Sequence, residues 1–142
     1  MVRAMTDLQR TLVLLKPDAV RRGLAGTILA RYEAKGLGVV AMEFRHVDAA
    51  MADRHYADHV EQPWYPPLRE YFTSGPLVAL VLEGPSAVEV VRLMNGVTNS
   101  VVAAPGTIRG DFSLSNRENL VHASDSPESA GREVALWFPN LA

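Results

Sequence analysis

Apolar residues gather in short bursts along this chain, and the spacing inside each burst indicates the element it forms. Thr11 to Leu15 is a brief, uninterrupted apolar run stopped by Pro17, which reads as a buried strand. From Gly23 to Lys35, Leu24, Ile28, Leu29 and Tyr32 recur at helical spacing, and Gly36 follows as a C-terminal cap. Val40, Met42, Phe44 and His46 alternate with Val39, Glu43 and Arg45, which predicts a half-buried strand. Asp48 is a suitable N-cap for a helix through Ala50 to Tyr56. Pro63, Pro66 and Pro67 then interrupt the chain, and Leu68 to Phe72 reads as a further short helical turn. Leu77 to Leu82 is apolar throughout and predicts a second central strand. Ser86 is placed to cap a helix reaching Met94, Val97 to Gly110 reads as loop, and Asn119 to Ala123 as a short strand. Ser126-Pro127-Glu128 combines an N-cap, a proline at the first helical position and an acid in the first turn, so a last helix runs from there to about Trp137.

Helices separate the strands almost everywhere in this order. An α+β, ferredoxin-like βαββαβ fold fits it: a four-stranded antiparallel sheet, helices on one face, and an added helical hairpin after the second strand. No linker, repeat or low-complexity tract divides residues 1–142, so one domain is expected. The composition, 48% apolar and 21% charged, excludes disorder for most of the chain. No apolar run approaches the roughly 20 residues that span a bilayer, so no membrane association is expected. The stretch Met1 to Asp7 lacks the apolar core of a secretory signal, which makes a cytoplasmic location the expectation. A net charge of −2 gives no reason to expect a nucleic-acid partner. The absence of cysteine removes disulfides, thiolate metal sites and cysteine nucleophiles at once.

The remaining nucleophiles are histidine, hydroxyls, lysine and carboxylates. His122 lies at the end of a predicted strand, just before a helix N-terminus. In a regular strand it would share a face with Leu120, opposite Val121. The position suits a meeting with phosphate, but from position alone a satisfied, partly buried side chain is the favoured reading. His55 and His59 are spaced like a metal pair on one helix but lack the zincin motif and an evident third ligand, so a solvated helix face is the expectation. His46 reads as structural. Lys16 follows a buried strand at its carboxyl end, where ligands often bind in α/β sheets. Arg109 sits among glycines in Pro105-Gly106-Thr107-Ile108-Arg109-Gly110-Asp111, where close backbone approach and a forked phosphate donor combine. Neither a Walker A nor a Gly-x-Gly-x-x-Gly motif is present. Trp64 and Tyr65, set between prolines, are either a base-stacking surface or a small satellite core.

Leu15-Lys16-Pro17-Asp18, Thr73-Ser74-Gly75-Pro76, the glycine-threonine-arginine loop through Phe112, and Asn119 to Ser126 stand in one order. Together they closely resemble the nucleoside diphosphate kinase family over about Thr11 to Phe138. The resemblance implies ping-pong transfer of a γ-phosphoryl group from a nucleoside triphosphate to a nucleoside diphosphate. His122 matches the nucleophile, phosphorylated at Nδ1, and Ser124 and Glu133 match the pair that orients it. Lys16, Tyr56, Arg92, Thr98, Arg109 and Asn119 match the residues that hold phosphates and ribose. Trp64 and Leu68 match the slot that stacks on the base, so base selectivity is expected to be low. Asp125 lies where the family's site meets the magnesium-nucleotide, and Mg²⁺ is the implied cofactor. A homo-oligomer is implied, hexamer rather than tetramer, and the alternative to an active kinase is an impaired nucleotide-binding regulatory homologue. Ala123 stands where the family usually has glycine, and its methyl is expected to restrict φ or crowd the phosphate. Ser100 stands where proline is common.

Overall fold

A computed structural model describes residues 8–141 of the chain. The stretch Met1 to Asp7, read above for its lack of a signal, lies outside the described residues. The elements run β1 (Leu8–Leu15), α1 (Pro17–Arg21), α2 (Ala25–Lys35), β2 (Gly38–Arg45), α3 (Ala49–His55), α4 (Tyr65–Phe72), β3 (Leu77–Pro85), α5 (Ala87–Asn95), α6 (Ile108–Phe112), β4 (Val121–Ala123) and α7 (Pro127–Trp137). The strands form one antiparallel sheet in the order β2-β3-β1-β4, the ferredoxin-like topology expected. The central strands β1 and β3 pair along their length, from Leu8 opposite Pro85 to Leu15 opposite Val78.

Both faces of those central strands are covered, which corrects the expectation of helices on one face. Val13, Leu15, Leu80 and Leu82 pack against Ile28 and Tyr32 of α2 and Val91 of α5. Leu12, Leu14, Leu77 and Ala79 pack against Ala52 of α3, Phe72 of α4 and Trp137 of α7. The hairpin α3–α4 is therefore a second layer together with the last helix. The continuous apolar runs in β1 and β3 leave no polar face that water could cover.

Helix ends follow local chemistry. Asp48 accepts from the Met51 N–H at 2.8 Å, Ser126 from Ser129 N–H at 3.1 Å, and Gly36 closes α2 at φ 108°. Ser86 differs from expectation: it sits at φ 53° and its hydroxyl caps nothing. Gln9 of β1 supplies the missing acceptor, its Oε1 taking the Val88 N–H at 3.2 Å. Within the stretch read as loop, Thr107 caps the one-turn-and-a-half helix α6 through Gly110 N–H at 3.0 Å. The short α1 after Pro17 is a second element the apolar pattern did not announce.

The strand β2 is at the sheet edge and open. Met42 is 59% and Phe44 64% exposed, so the face read as half-buried is bare in the single chain. His46 lies one residue beyond β2 and is exposed, not a structural strand residue.

Candidate active site

The site forms where the carboxyl end of β1, the end of α3, α5, the turn before β4 and α7 meet. A cavity of about 530 Å³ opens there. Lys16, Tyr56, Arg92, Thr98, Arg109, Asn119, His122, Asp125 and Glu133, singled out from distant parts of the sequence, all line it. Ser124 lies behind it, fully buried. Trp64 and Leu68 do not line it; Trp64 is 47% exposed, its ring centroid 5.1 Å from that of His59, a cavity residue.

Three hydrogen bonds fix the state of His122. Its Nε2 lies 2.9 Å from Glu133 Oε1, and the Ser124 hydroxyl donates to the same oxygen at 2.8 Å. An oxygen already accepting from a hydroxyl is a carboxylate acceptor, so the imidazole proton sits on Nε2. The lone pair is then on Nδ1. Ser124 in turn accepts from the Leu12 N–H at 3.2 Å, which ties the orienting pair to the central strand. Glu133 reaches the ring because α7 packs along β1 through Trp137 and Val134.

The turn before β4 aims the strand. Val121 N–H donates to Asn119 O at 2.9 Å across Leu120, which has φ 75°. That bond and that angle make a γ-turn of the strained hand. A leucine pays about 1–2 kcal/mol for such a conformation. The turn breaks the strand's alternation: Leu120 packs with Val121 and Ala123 in one core cluster, while His122 faces the other way. The expectation that Leu120 and His122 share a face is corrected for this reason. Ala123 itself is outside the positive-φ region, where Ser86 and Leu120 are the non-glycine residues among those described. Its backbone needs no glycine.

The cations Lys16, Arg92, Arg109 and Arg132 line the cavity together with the carboxylates of Asp58, Asp125 and Glu133. Lys16 is 5% exposed and donates to Asn119 Oδ1 at 2.5 Å. Burial, and next the Arg109 guanidinium, pull its ammonium down to about 7, while Asp18 pulls the other way. Arg109 spends Nε, Nη1 and Nη2 on the carbonyls of Asn119, Gly96 and Val121 at 3.2, 2.7 and 2.6 Å. It braces two walls and keeps one N–H on each terminal nitrogen for a ligand. Arg92 contacts Ala123 O at 3.4 Å. Lys16 is buried, Arg109 half-buried and Arg92 exposed, and an unneutralised buried charge such as that of Lys16 is relieved by a nearby anion.

His55 does not lie on the solvated helix face expected for it. It is part-buried, stacked on Phe72 with centroids 5.6 Å apart and edge-on to His122 at 4.6 Å. Trp137 Nε1 donates to its Nδ1 at 3.1 Å, which leaves the His55 proton on Nε2. Burial, then His122 and Lys16, hold it well below the ordinary histidine range, so it is neutral near pH 7. The donor atoms of His55, His122 and Glu133 lie within 4.8 Å of one another, a metal-like spacing. His122 Nε2 is hydrogen-bonded to Glu133 and His55 Nδ1 accepts from Trp137, while the two imidazoles meet edge to face. Arg132, beside Glu133 on α7, also lines the cavity and had no distinguishing signal in sequence.

The nucleoside diphosphate kinase family model matches residues 9–142. A nucleoside diphosphate kinase from Nocardioides sp. is 74% identical over 132 residues, covering 93% of this chain and 98% of that protein. One from Cutibacterium acnes is 61% identical over 137 residues, covering 96% and 99%. The solved structure of a halophilic nucleoside diphosphate kinase from Halobacterium salinarum in complex with CDP superposes with a TM-score of 0.91 at 44% identity, covering 93% of this chain and 88% of that one. A family protein from Babesia bovis gives 0.90 at 43% identity, covering 94% and 90%.

Proposed function

Because the chain belongs to the nucleoside diphosphate kinase family, and so is a phosphotransferase acting between nucleoside tri- and diphosphates, we propose that His122 carries the phosphoryl group between them in a ping-pong cycle. The observation that carries this reading is the shared Glu133 oxygen, which fixes the His122 proton on Nε2 and leaves a nucleophilic Nδ1 on a cavity lined by cations. In the first half-reaction the Nδ1 lone pair forms a bond to the γ-phosphorus. The bond from that phosphorus to the bridging oxygen breaks, and the nucleoside diphosphate leaves with the electron pair. A different nucleoside diphosphate then takes the phosphoryl group by the reverse steps in the same place.

Phosphoryl transfer asks mainly for in-line placement and charge neutralisation. Lys16, Arg92 and Arg109 supply the charge. Tyr56, Thr98 and Asn119 hold phosphate and ribose, and Trp64 with Leu68 offers a stacking surface at the edge of the site, blind to base edges. The Ser124–Glu133 pair keeps the imidazole orientation through both half-reactions.

Magnesium fits the residues present. It favours oxygen ligands and keeps several waters, so one carboxylate beside the phosphates is sufficient protein contact. Asp125 is exposed at the cavity, and the Ser129 hydroxyl helps hold its carboxyl below the usual range, so it is anionic at neutral pH. Bound with the nucleotide, the ion would neutralise phosphate oxygens.

A homo-oligomer, hexamer before tetramer, is part of the same reading. Two separate apolar surfaces support more than one kind of contact: the β2 face with Met42 and Phe44, and the loop with Val101 and Val102. One domain holds the whole site, and no helix among the described residues is long and apolar enough to cross a membrane. A cytoplasmic enzyme is the location that fits. Initial rates with both nucleotides varied test the cycle: parallel double-reciprocal lines are expected, and intersecting lines would contradict a free phosphoenzyme.

A further inference from the structure

Asp18 has no part in the cycle described above, yet it is 4% exposed and bonded to the structures that shape the site. Its Oδ1 accepts from the Tyr71 hydroxyl and its Oδ2 from the Leu120 N–H at 3.1 Å. The Leu120 carbonyl accepts from the Lys16 N–H at 2.8 Å. Both peptide groups flanking the strained Leu120 are thus tied to the Lys16–Asp18 turn. Tyr71 closes the arrangement, since its ring lies 5.6 Å from Lys16 Nζ while its hydroxyl holds Asp18.

We propose that Asp18 is a positioning residue for phosphoryl transfer: it holds the Leu120 turn that sets Asn119 and His122, and it supplies anionic charge beside the Lys16–Arg109 pair. The inference rests on the reading of His122 as nucleophile and Lys16 as phosphate holder. The groups facing Lys16 are Asp18 on α1, Tyr71 on α4, Arg109 on α6, Asn119 before β4 and His55 at the end of α3. Of the charges acting on Lys16, Asp18 opposes the effect of burial and of Arg109. Without that charge, the ammonium is surrendered at a lower pH. Without the hydrogen bond, nothing on the α1 side restrains the Leu120 N–H.

Asp18→Asn separates the two roles. The amide has nearly the same shape; its oxygen can accept from Leu120 and its NH₂ can donate to the Tyr71 oxygen, but its charge is gone. The experiment follows His122 phosphorylation in single turnover with enzyme in excess over ATP but below its Kd for ATP, from about pH 6 to about pH 9, so that the second-order rate constant reports titrations of the free enzyme. The alkaline limb is expected to move down by about one pH unit, the scale of a nearby opposite charge. A limb left in place, whatever the overall rate, overturns the proposal. If Asp18→Asn does not fold, Tyr71→Phe serves: it keeps the charge and removes one hydroxyl donor from it. There the limb is expected at or above its original position, and a downward move overturns the proposal. The premise is checked separately, because label persisting in His122→Ala removes His122 as nucleophile without reference to Asp18.

Discussion

Burial and the Arg109 guanidinium hold Lys16 in a place that suits its charge poorly. With an ordinary value of 10.5 and about 7 in the fold, it carries its proton below about pH 7 and loses it above. Between these values the unfolded chain binds the extra proton, so this group's contribution to stability rises with pH across that window. For activity the expected sign is opposite: the charge proposed to receive phosphate is lost as pH rises through the folded value. Lys16→Arg is therefore expected to lower the rate at neutral pH, because a planar fork does not replace a compact ammonium on Asn119. It should also flatten the alkaline fall in kcat/KM, and a retained fall would assign that limb to another group. Thr11 offers a simpler case. Its hydroxyl is buried in β1 with no hydrogen-bond partner among the described residues. Thr11→Val should raise the unfolding free energy by about 1 kcal/mol in urea titration, and a loss would mean the hydroxyl has a partner. At this scale Lys16, Arg109 and His122, singled out in the sequence, come together at one cavity. The sequence was not legible for His55, whose neighbours Phe72, His122 and Trp137 come from other elements. Nor does any sequence signal place a leucine at φ 75°; Leu120 is held there by Lys16 and Asp18, about a hundred residues earlier in the chain.

Elements with strong local chemistry matched their sequence patterns. The strand β3 and the helices α2 and α7 lie where apolar runs, helical spacing and the Ser126-Pro127-Glu128 start predict them. The element that mattered and was missed is α6, because Pro105-Gly106 reads as loop and five residues show no period. Its packing depends on Gly110, where a Cβ would stand 2.0 Å from the Ala104 carbonyl oxygen. Backbone cannot yield to that contact as a flexible side chain could. Gly110→Ala is expected to cost about 1–3 kcal/mol of stability and, by displacing Arg109 beside it, to weaken nucleotide binding. Unchanged melting and unchanged KM would show that α6 is looser than its contacts imply. Edge strand β2 teaches a different limit. Its alternation correctly marks an apolar face, but alternation does not reveal what covers that face. In the single chain, Met42 and Phe44 are bare.

At the scale of the whole molecule, a near-neutral net charge conceals a concentrated site. Lys16, Arg92 and Arg109 lie far apart in sequence and converge on one cavity, Lys16 just past β1, Arg92 in the last turn of α5 and Arg109 in the first turn of α6. The open β2 face gives the proposed oligomer a direct test. Phe44→Glu should shift the solution mass towards smaller species in native mass spectrometry, and an unchanged mass would place the contact elsewhere. The catalytic claim has a more direct one. The protein is incubated with γ-labelled ATP and no acceptor, denatured, and mapped for label. The expected result is acid-labile, base-stable label on His122, absent from folded His122→Ala and discharged by added nucleoside diphosphate. A properly folded protein that takes no label, or a His122→Ala variant that keeps it, would contradict the account.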